Sequence, residues 1–576
     1  MDDERWITDT RISARFPAWT RGNAADVLPD PVSPLMWTLY WSPALMPALR
    51  DGYIRIGAIS WDEWDDPNHP DAFGCFGGYF YNPLSLTRLL GARMPGATPE
   101  LIDKAFFDER PDVPPYVFEA WHESPVHEER LAASMAWAMT ATSLPELDQE
   151  KALADQLRAT RPDLTAVSEA GLIARARSIV PFLQQAMETG MVVSSLASIG
   201  PGALGAICEQ LGDPTITIRL LAGIEVDSAK PSFAMWDLSR LARASAEVNV
   251  AFEAGVDGLL DRLRASGSME AQSFLTAFAD FLHEFGSRGP GEWDIIAKAW
   301  EPYPRVALAA IDRMRVSDDA HSPVARHAAS VAERDRLVVE VRAKLADDAE
   351  SLAMFDAAMR SAELFLAGRE RYKTNCIKLV GEIRMCALEL GRRMVDRGVF
   401  DEPEQVFMLL ASELDELRQE PERFTTVVRD RQRRYRALFE LEPPFAVTGT
   451  VPPMSTWGRS ADRVHEPVPS GTVLRGACGA GGVATGRACV ILDPTDPRDL
   501  EPGDILVAPN TDPSWVPLFV PAGAAVVNVG AMGSHAMIVS RDLGIPCVVS
   551  VADATERIPD GATITVDGNA GTVTIH

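Results

Sequence analysis

The sequence predicts a multidomain α+β protein in which a mostly α-helical region is followed by a small β-rich domain, and three observations carry that prediction. The chain has 576 residues, too many for a single hydrophobic core. Apolar residues recur at helical spacing from about Leu131 to Leu441. After Thr472 the texture changes to short β-rich runs separated by Gly, Pro and Asp.

Residues 1–130 form a loop- and aromatic-rich segment: eight of the thirteen tryptophans fall within the first 137 residues, among many prolines and glycines. Core packing and a ligand pocket are both open readings of this aromatic content, and Trp37, Tyr40 and Trp41 are its candidate substrate-binding cluster. Asp62, Glu63, Asp65 and Asp66 lack the spacing of a calcium loop, so no metal site is expected there. His122 and His127 lack the H-E-x-x-H pattern and are expected at the surface.

Residues 131–441 predict a helical domain. Its clearest stripe is Ile377, Val380, Ile383, Ala387, Leu390 and Met394, spaced three or four apart, with Gly398 beyond them as a stop signal. Arg369 and Lys373 continue the stripe, so both cations should face the buried side, where they need an anionic partner. Pairing with Glu370 within the helix, or a solvated face, is the alternative. The run Arg429, Arg431, Arg433, Arg434 and Arg436 reads as a solvated helix face. Residues 442–471 carry six prolines and predict a semi-rigid, extended swivel linker. Residues 472–576 then hold strand-like runs at Ala488–Leu492, Asp504–Val507, Ala524–Val527, Cys547–Val551, Thr563–Val566 and Thr572–Ile575.

Charge and cysteine usage narrow the function classes. With 55 Lys and Arg against 82 Asp and Glu, the net charge of −27 argues against a nucleic acid or an acidic membrane surface as partner. The seven cysteines contain no C-x-x-C pair, which points away from zinc and from a disulfide framework and towards a reducing, cytoplasmic location. The acidic N-terminus has no apolar run, and the uncharged stretch Met191–Cys208 is broken by serine, proline and glycine, so neither a signal peptide nor a membrane span is expected.

Within the last domain, Ser534 to Leu543 predicts a helix of about three turns, stopped by Gly544 and Pro546. His535 falls in its first turn, where unpaired backbone N–H groups and the positive dipole end favour an anion. An imidazole there could accept a phosphoryl group, with Ser534 and Gly533 as phosphate-supporting neighbours. The run GAMGSHAMIVSRDLGIPCVV resembles the phosphohistidine motif of the phosphoenolpyruvate-utilising enzymes, G-G-x-x-[SC]-H-A-A-I-V-A-R-E-L-G-I-P-x-V-V. GGVATGRACVILDP, EPGDILVAPNTDPSWVPLF and the terminal DGNAGTVTIH extend the resemblance in order. It implies a β/β/α swivelling phosphohistidine domain with His535 as the carrier residue. Ala531 departs from the second glycine of the motif.

The preceding region is similar to the α-helical substrate-binding domain of the rifampin phosphotransferase branch of that family. Three stretches carry the similarity: WTRGNAADVLPDPVSPLMW from Trp19, FGSRGPGEWDI from Phe285, and the run Gly368 to Phe407. The resemblance implies Arg369 and Lys373 as stabilisers of the transferring group, Arg288 as a phosphate or structural cation, and Glu292 as its partner or a base. Ser287 replaces the family's histidine, and His283 is its possible substitute. Relatives begin with an ATP-grasp domain, whereas this sequence opens at the substrate domain. The resemblance therefore implies one subunit of a two-component phosphotransferase, needing a separate ATP-grasp subunit that brings ATP and Mg²⁺, and binding no cofactor or metal tightly itself. The implied acceptor is a hydroxyl of a small, apolar alcohol or phenol. A phosphorylation-activated dehydratase or lyase component and a non-catalytic binding or regulatory homologue are the rival expectations.

Overall fold

The computed structural model describes residues 5–107, 113–213, 215–459, 468–494, 500–512, 515–530 and 534–576. The chain divides into two compact units. Unit 1 comprises Met1–Ala197, Trp293–Ala297 and Arg371–Val464; unit 2 comprises Ser198–Glu292, Lys298–Glu370 and His465–His576. The helical stretch 131–441 thus contributes to both units, and the 48-residue helix Ala349–Asp396 runs from one into the other. Its stripe Ile377, Val380, Ile383, Ala387, Leu390 and Met394 is buried throughout, as the spacing requires.

Unit 1 is organised by aromatic packing. The π-helix Trp37–Leu45 contains Pro43, which lacks an N–H and collides with the carbonyl four residues back; the wider i→i+5 turn relieves both problems. The helix Glu169–Leu196 packs against this turn and against Met46–Arg55. Strand Ala18–Thr20 pairs antiparallel with Ala446–Thr448, so the proline-rich stretch after Glu442 does form regular structure. Its prolines flank the paired residues, leaving the ladder donors intact. Tyr79 and Tyr81 fasten the same stretch by donating to the carbonyls of Leu441 and Pro444 at 3.1 and 2.7 Å.

Two surface expectations in unit 1 are overturned. His122 is buried against the Tyr116 hydroxyl at 2.7 Å, and His127 is buried between Ser60, Ser124 and Glu63. Their rings are buried while their nitrogens find partners, a combination that spacing cannot reveal. The acidic cluster disperses into structural roles: Glu63 pairs with Arg93, and Asp65 accepts from Ser13, Ala14 and Arg15. Among the described residues the helical run Glu169–Gln210 is long and apolar enough to cross a membrane, with 44% of its most apolar window buried. Leu172, Ile179, Leu183 and Leu196 of this run are buried in the protein, and a core helix shares this composition.

Unit 2 joins a helical bundle to an eight-stranded mixed sheet. The strand order is Val473–Arg475, Thr572–Ile575, Thr563–Asp567, Val483–Val490, Ile505–Ala508, Ala524–Val527, Cys547–Val549 and Ala477–Ala480. The four strands from Val483–Val490 to Cys547–Val549 are mutually parallel, and the remaining pairings are antiparallel. Alternate residues serve two cores: Ile505, Val507 and Val526 join one, Leu506, Ala508 and Val527 the other. The second core also contains Phe274, Phe278, Phe281 and Trp300 of the bundle, so sheet and bundle share one continuous apolar interior.

Candidate functional site

The site is built at the carboxyl end of strand Ala524–Val527, where parallel sheets present their loops. Asn528 and Val529 donate to the carbonyls of Ala508 and Pro509 at 3.1 Å each, which carries the chain past the neighbouring strand. The helix His535–Leu543 then returns the chain to Cys547–Val549. Ser534 is its N-cap residue, with φ −61° and ψ 159°, and Gly544 ends it in the left-handed region at φ 64°. The stop signals in the sequence therefore act as expected. Gly533 and Ala531 lie outside the described residues; Ser534 is buried, and its Oγ has no hydrogen-bond partner among them.

His535 is 8% exposed. Its Nδ1 lies 3.1 Å from Thr511 Oγ1, and the Phe519 ring meets it edge-on at 6.2 Å. When Nδ1 carries the proton and donates to Thr511, Nε2 holds the lone pair, the arrangement a nucleophilic imidazole requires. The helix dipole and first-turn N–H groups place positive potential beside a phosphoryl group bound there.

A second loop of unit 2 adjoins the first. Gly291 donates from its backbone to Asp512 Oδ2 at 3.3 Å, one residue from the threonine that holds His535. Gly291 has φ 58°, a conformation that side chains oppose. In the same loop Arg288 Nε donates to Glu292 Oε2 at 2.7 Å, both side chains being 2% exposed. Arg288 and Glu292 are thus brought together as a buried ion pair, held further by the Trp300 amide bonding the Arg288 carbonyl at 2.9 Å. Ser287 is buried, whereas His283 is exposed on the helix Met269–Phe285, which ends before Ser287. These two residues do not share a helix face.

Arg369 and Lys373 sit half-buried on the long helix, Arg369 in unit 2 and Lys373 in unit 1. Arg369 lies within electrostatic reach of Arg541, six residues along the helix from His535. Burial lowers the Arg541 pKa; Asp542 opposes that shift, and Arg369 reinforces it. Asp542 is raised to about 7, chiefly by burial, with Arg541 acting against the shift and Glu370 adding to it. Four titratable groups, two on the His535 helix and two on the long helix, therefore interact electrostatically.

Trp37, Tyr40 and Trp41 are 3%, 0% and 2% exposed in unit 1. The two indoles stack at 6.4 Å, Trp41 meets Phe80 and Trp293 edge-on, and the Tyr40 hydroxyl donates to the Trp293 carbonyl at 2.7 Å. Sequence reasoning missed Thr511, Asp512, Phe519, Arg541 and Asp542 as neighbours of the site. Thr511 and Phe519 lay inside a motif-like stretch, but nothing local marks a threonine 24 residues upstream as the partner of a histidine.

Two family models match the chain: one described as rifampicin phosphotransferase fourth domain, over residues 187–370, and one described as PEP-utilising enzyme, mobile domain, over residues 500–571. The chain is similar to a rifampicin phosphotransferase of Streptomyces sviceus, 31% identical over 365 residues, covering 62% of this chain and 41% of that protein. It is similar to the rifampicin phosphotransferase of Bacillus subtilis at 28% identity over 323 residues, covering 55% and 36%. An uncharacterized protein of Mycobacterium tuberculosis is 30% identical over 352 residues, covering 61% and 37%. The chain spans about two fifths of the length of these curated relatives.

Proposed function

The chain belongs to the PEP-utilising enzyme family, and on that premise we propose that it is a phosphotransferase component that carries a phosphoryl group on His535. The observation that supports this most is the histidine's setting: first turn of a helix, Nδ1 on Thr511, and the Arg288–Glu292 loop bonded to the adjacent Asp512. In the first half-reaction Nε2 attacks phosphorus, the N–P bond forms, and the P–O bond to the leaving nucleotide breaks with its electron pair staying on oxygen. In the second, an acceptor hydroxyl oxygen attacks phosphorus, the N–P bond breaks, and the hydroxyl proton passes to a base. Preorganised cations stabilise the charge on the equatorial oxygens in both. Arg369 and Lys373 are the proposed stabilising cations, and Arg288 the cation that Glu292 holds in place.

The proposed donor is an ATP-grasp partner that brings ATP and Mg²⁺. The proposed acceptor is a hydroxyl on a small, apolar alcohol or phenol; two of the relatives are named rifampicin phosphotransferase. A cytoplasmic setting is part of the same reading. The test is intact mass after incubation with MgATP and a candidate ATP-grasp protein, for wild type and His535→Ala. One phosphoryl group on wild type, labile to acid and absent from His535→Ala, is the expected result. No gain from a partner that phosphorylates a control mobile domain would move the chain to a binding or regulatory role. A stable phosphate ester as product rules out elimination, whereas an alkene plus free phosphate would establish it.

A further inference from the structure

Ser550 follows the strand Cys547–Val549 with φ 57°, one of three non-glycine residues at positive φ among the described residues. The left-handed region is strained for any side chain with a Cβ, and glycine would occupy it freely. The serine hydroxyl donates to the Gly530 carbonyl. Gly530 is itself wedged: a Cβ there would lie 3.0 Å from Ser534 Oγ and 3.0 Å from Val549 Cβ. The Val551 amide bonds the Val527 carbonyl at 3.1 Å, so the strained residue sits on a fixed base between the two strands that flank the carrier helix.

From this geometry we propose that Ser550 is a positioning residue for His535. Its hydroxyl braces Gly530 against the N-cap residue of the His535 helix, and the backbone strain persists because a glycine in its place would leave Gly530 unbraced. The proposal rests on the phosphoryl-carrier reading and goes one step beyond it, to the residue that sets the nucleophile's approach. It requires activity and stability to move in opposite directions when the side chain is removed, which a merely structural serine does not do.

The experiment compares Ser550→Gly, Ser550→Ala and Ser550→Asn with wild type in the full chain, by the rate of His535 phosphorylation and by the thermal midpoint. Ser550→Gly should melt about 2–4 °C higher as strain is released, yet accept the phosphoryl group about 5-fold more slowly, the loss of one hydrogen bond's worth of positioning. Ser550→Ala, which keeps the strain and loses the bond, should be both slower and less stable. Ser550→Asn tolerates the left-handed backbone and carries a donor, so it should be faster than Ser550→Gly. A Ser550→Gly rate equal to wild type, or one that falls together with its melting point, overturns the proposal. Imidazole ¹⁵N NMR gives an arm independent of phosphoryl chemistry: Ser550→Gly should change the Nδ1/Nε2 tautomer balance of His535, and an unchanged spectrum also overturns it. A wild type that takes no phosphoryl group would sink the carrier reading alone, and the tautomer measurement would still decide the role of Ser550.

Discussion

Thr511 is a residue through which the proposed chemistry of His535 can be tested. Its hydroxyl lies 3.1 Å from Nδ1, and when it accepts from an Nδ1–H the ring presents the Nε2 lone pair. Thr511→Val keeps the shape and removes the oxygen. Its phosphorylation rate should fall about 10-fold, equivalent to roughly 1.4 kcal/mol, while its thermal midpoint changes little. Rapid-quench measurement of phosphohistidine formation checks this, and a wild-type rate would show that Thr511 does not set the tautomer. The Arg288–Glu292 pair makes a different demand. With both groups 2% exposed, removing one breaks an ion pair in the interior, so Glu292→Gln is expected to cost about 3–5 kcal/mol of stability in denaturant unfolding.

Within the helix His535–Leu543 the two ends have separate roles. The N-terminal turn presents the imidazole, and the C-terminal turn brings Arg541 and Asp542 to Arg369 and Glu370 of the long helix. Asp542, pushed up to about 7 against 3.8 in the unfolded chain, binds a proton more readily when folded. Its contribution to stability is therefore full below the ordinary carboxyl range, declines as pH rises from about 4 to about 7, and is constant beyond. Asp542→Asn should flatten this segment of the profile, melting above wild type near pH 8 and close to it near pH 4. Parallel thermal-melt profiles for the two proteins would mean that Asp542 is an ordinary carboxylate.

At the scale of the molecule, the eight-stranded sheet shares an apolar core with the bundle of unit 2. Phe278 stands in the middle of that core, stacked between Phe274 at 6.1 Å and Phe281 at 6.0 Å. Phe278→Ala should destabilise unit 2 by about 3–5 kcal/mol. Because the core is common, amide exchange should accelerate together in the helix Met269–Phe285 and in the strand Ala524–Val527. Acceleration confined to the helix would show that the sheet is stabilised independently of the bundle.

By itself the sequence determined the helical stripe from Ile377 to Met394, the strands from Ala524 to Val527 and Thr572 to Ile575, and the helix that begins at His535 and stops at Gly544. These follow from periodicity and from local φ preferences, which act over a few residues and are written in consecutive letters. The helix start at His535 was legible for the same reason; the reading of His535 as a carrier came from the resemblance of the surrounding motif and stands as a proposal. Only the tertiary structure decided that His122 and His127 are buried, that the proline-rich stretch supplies a strand, that Thr511 holds His535, and that Ser550 braces Gly530. Those contacts join residues far apart in the chain, and their energies depend on burial and mutual geometry. Neither quantity exists until the chain has folded.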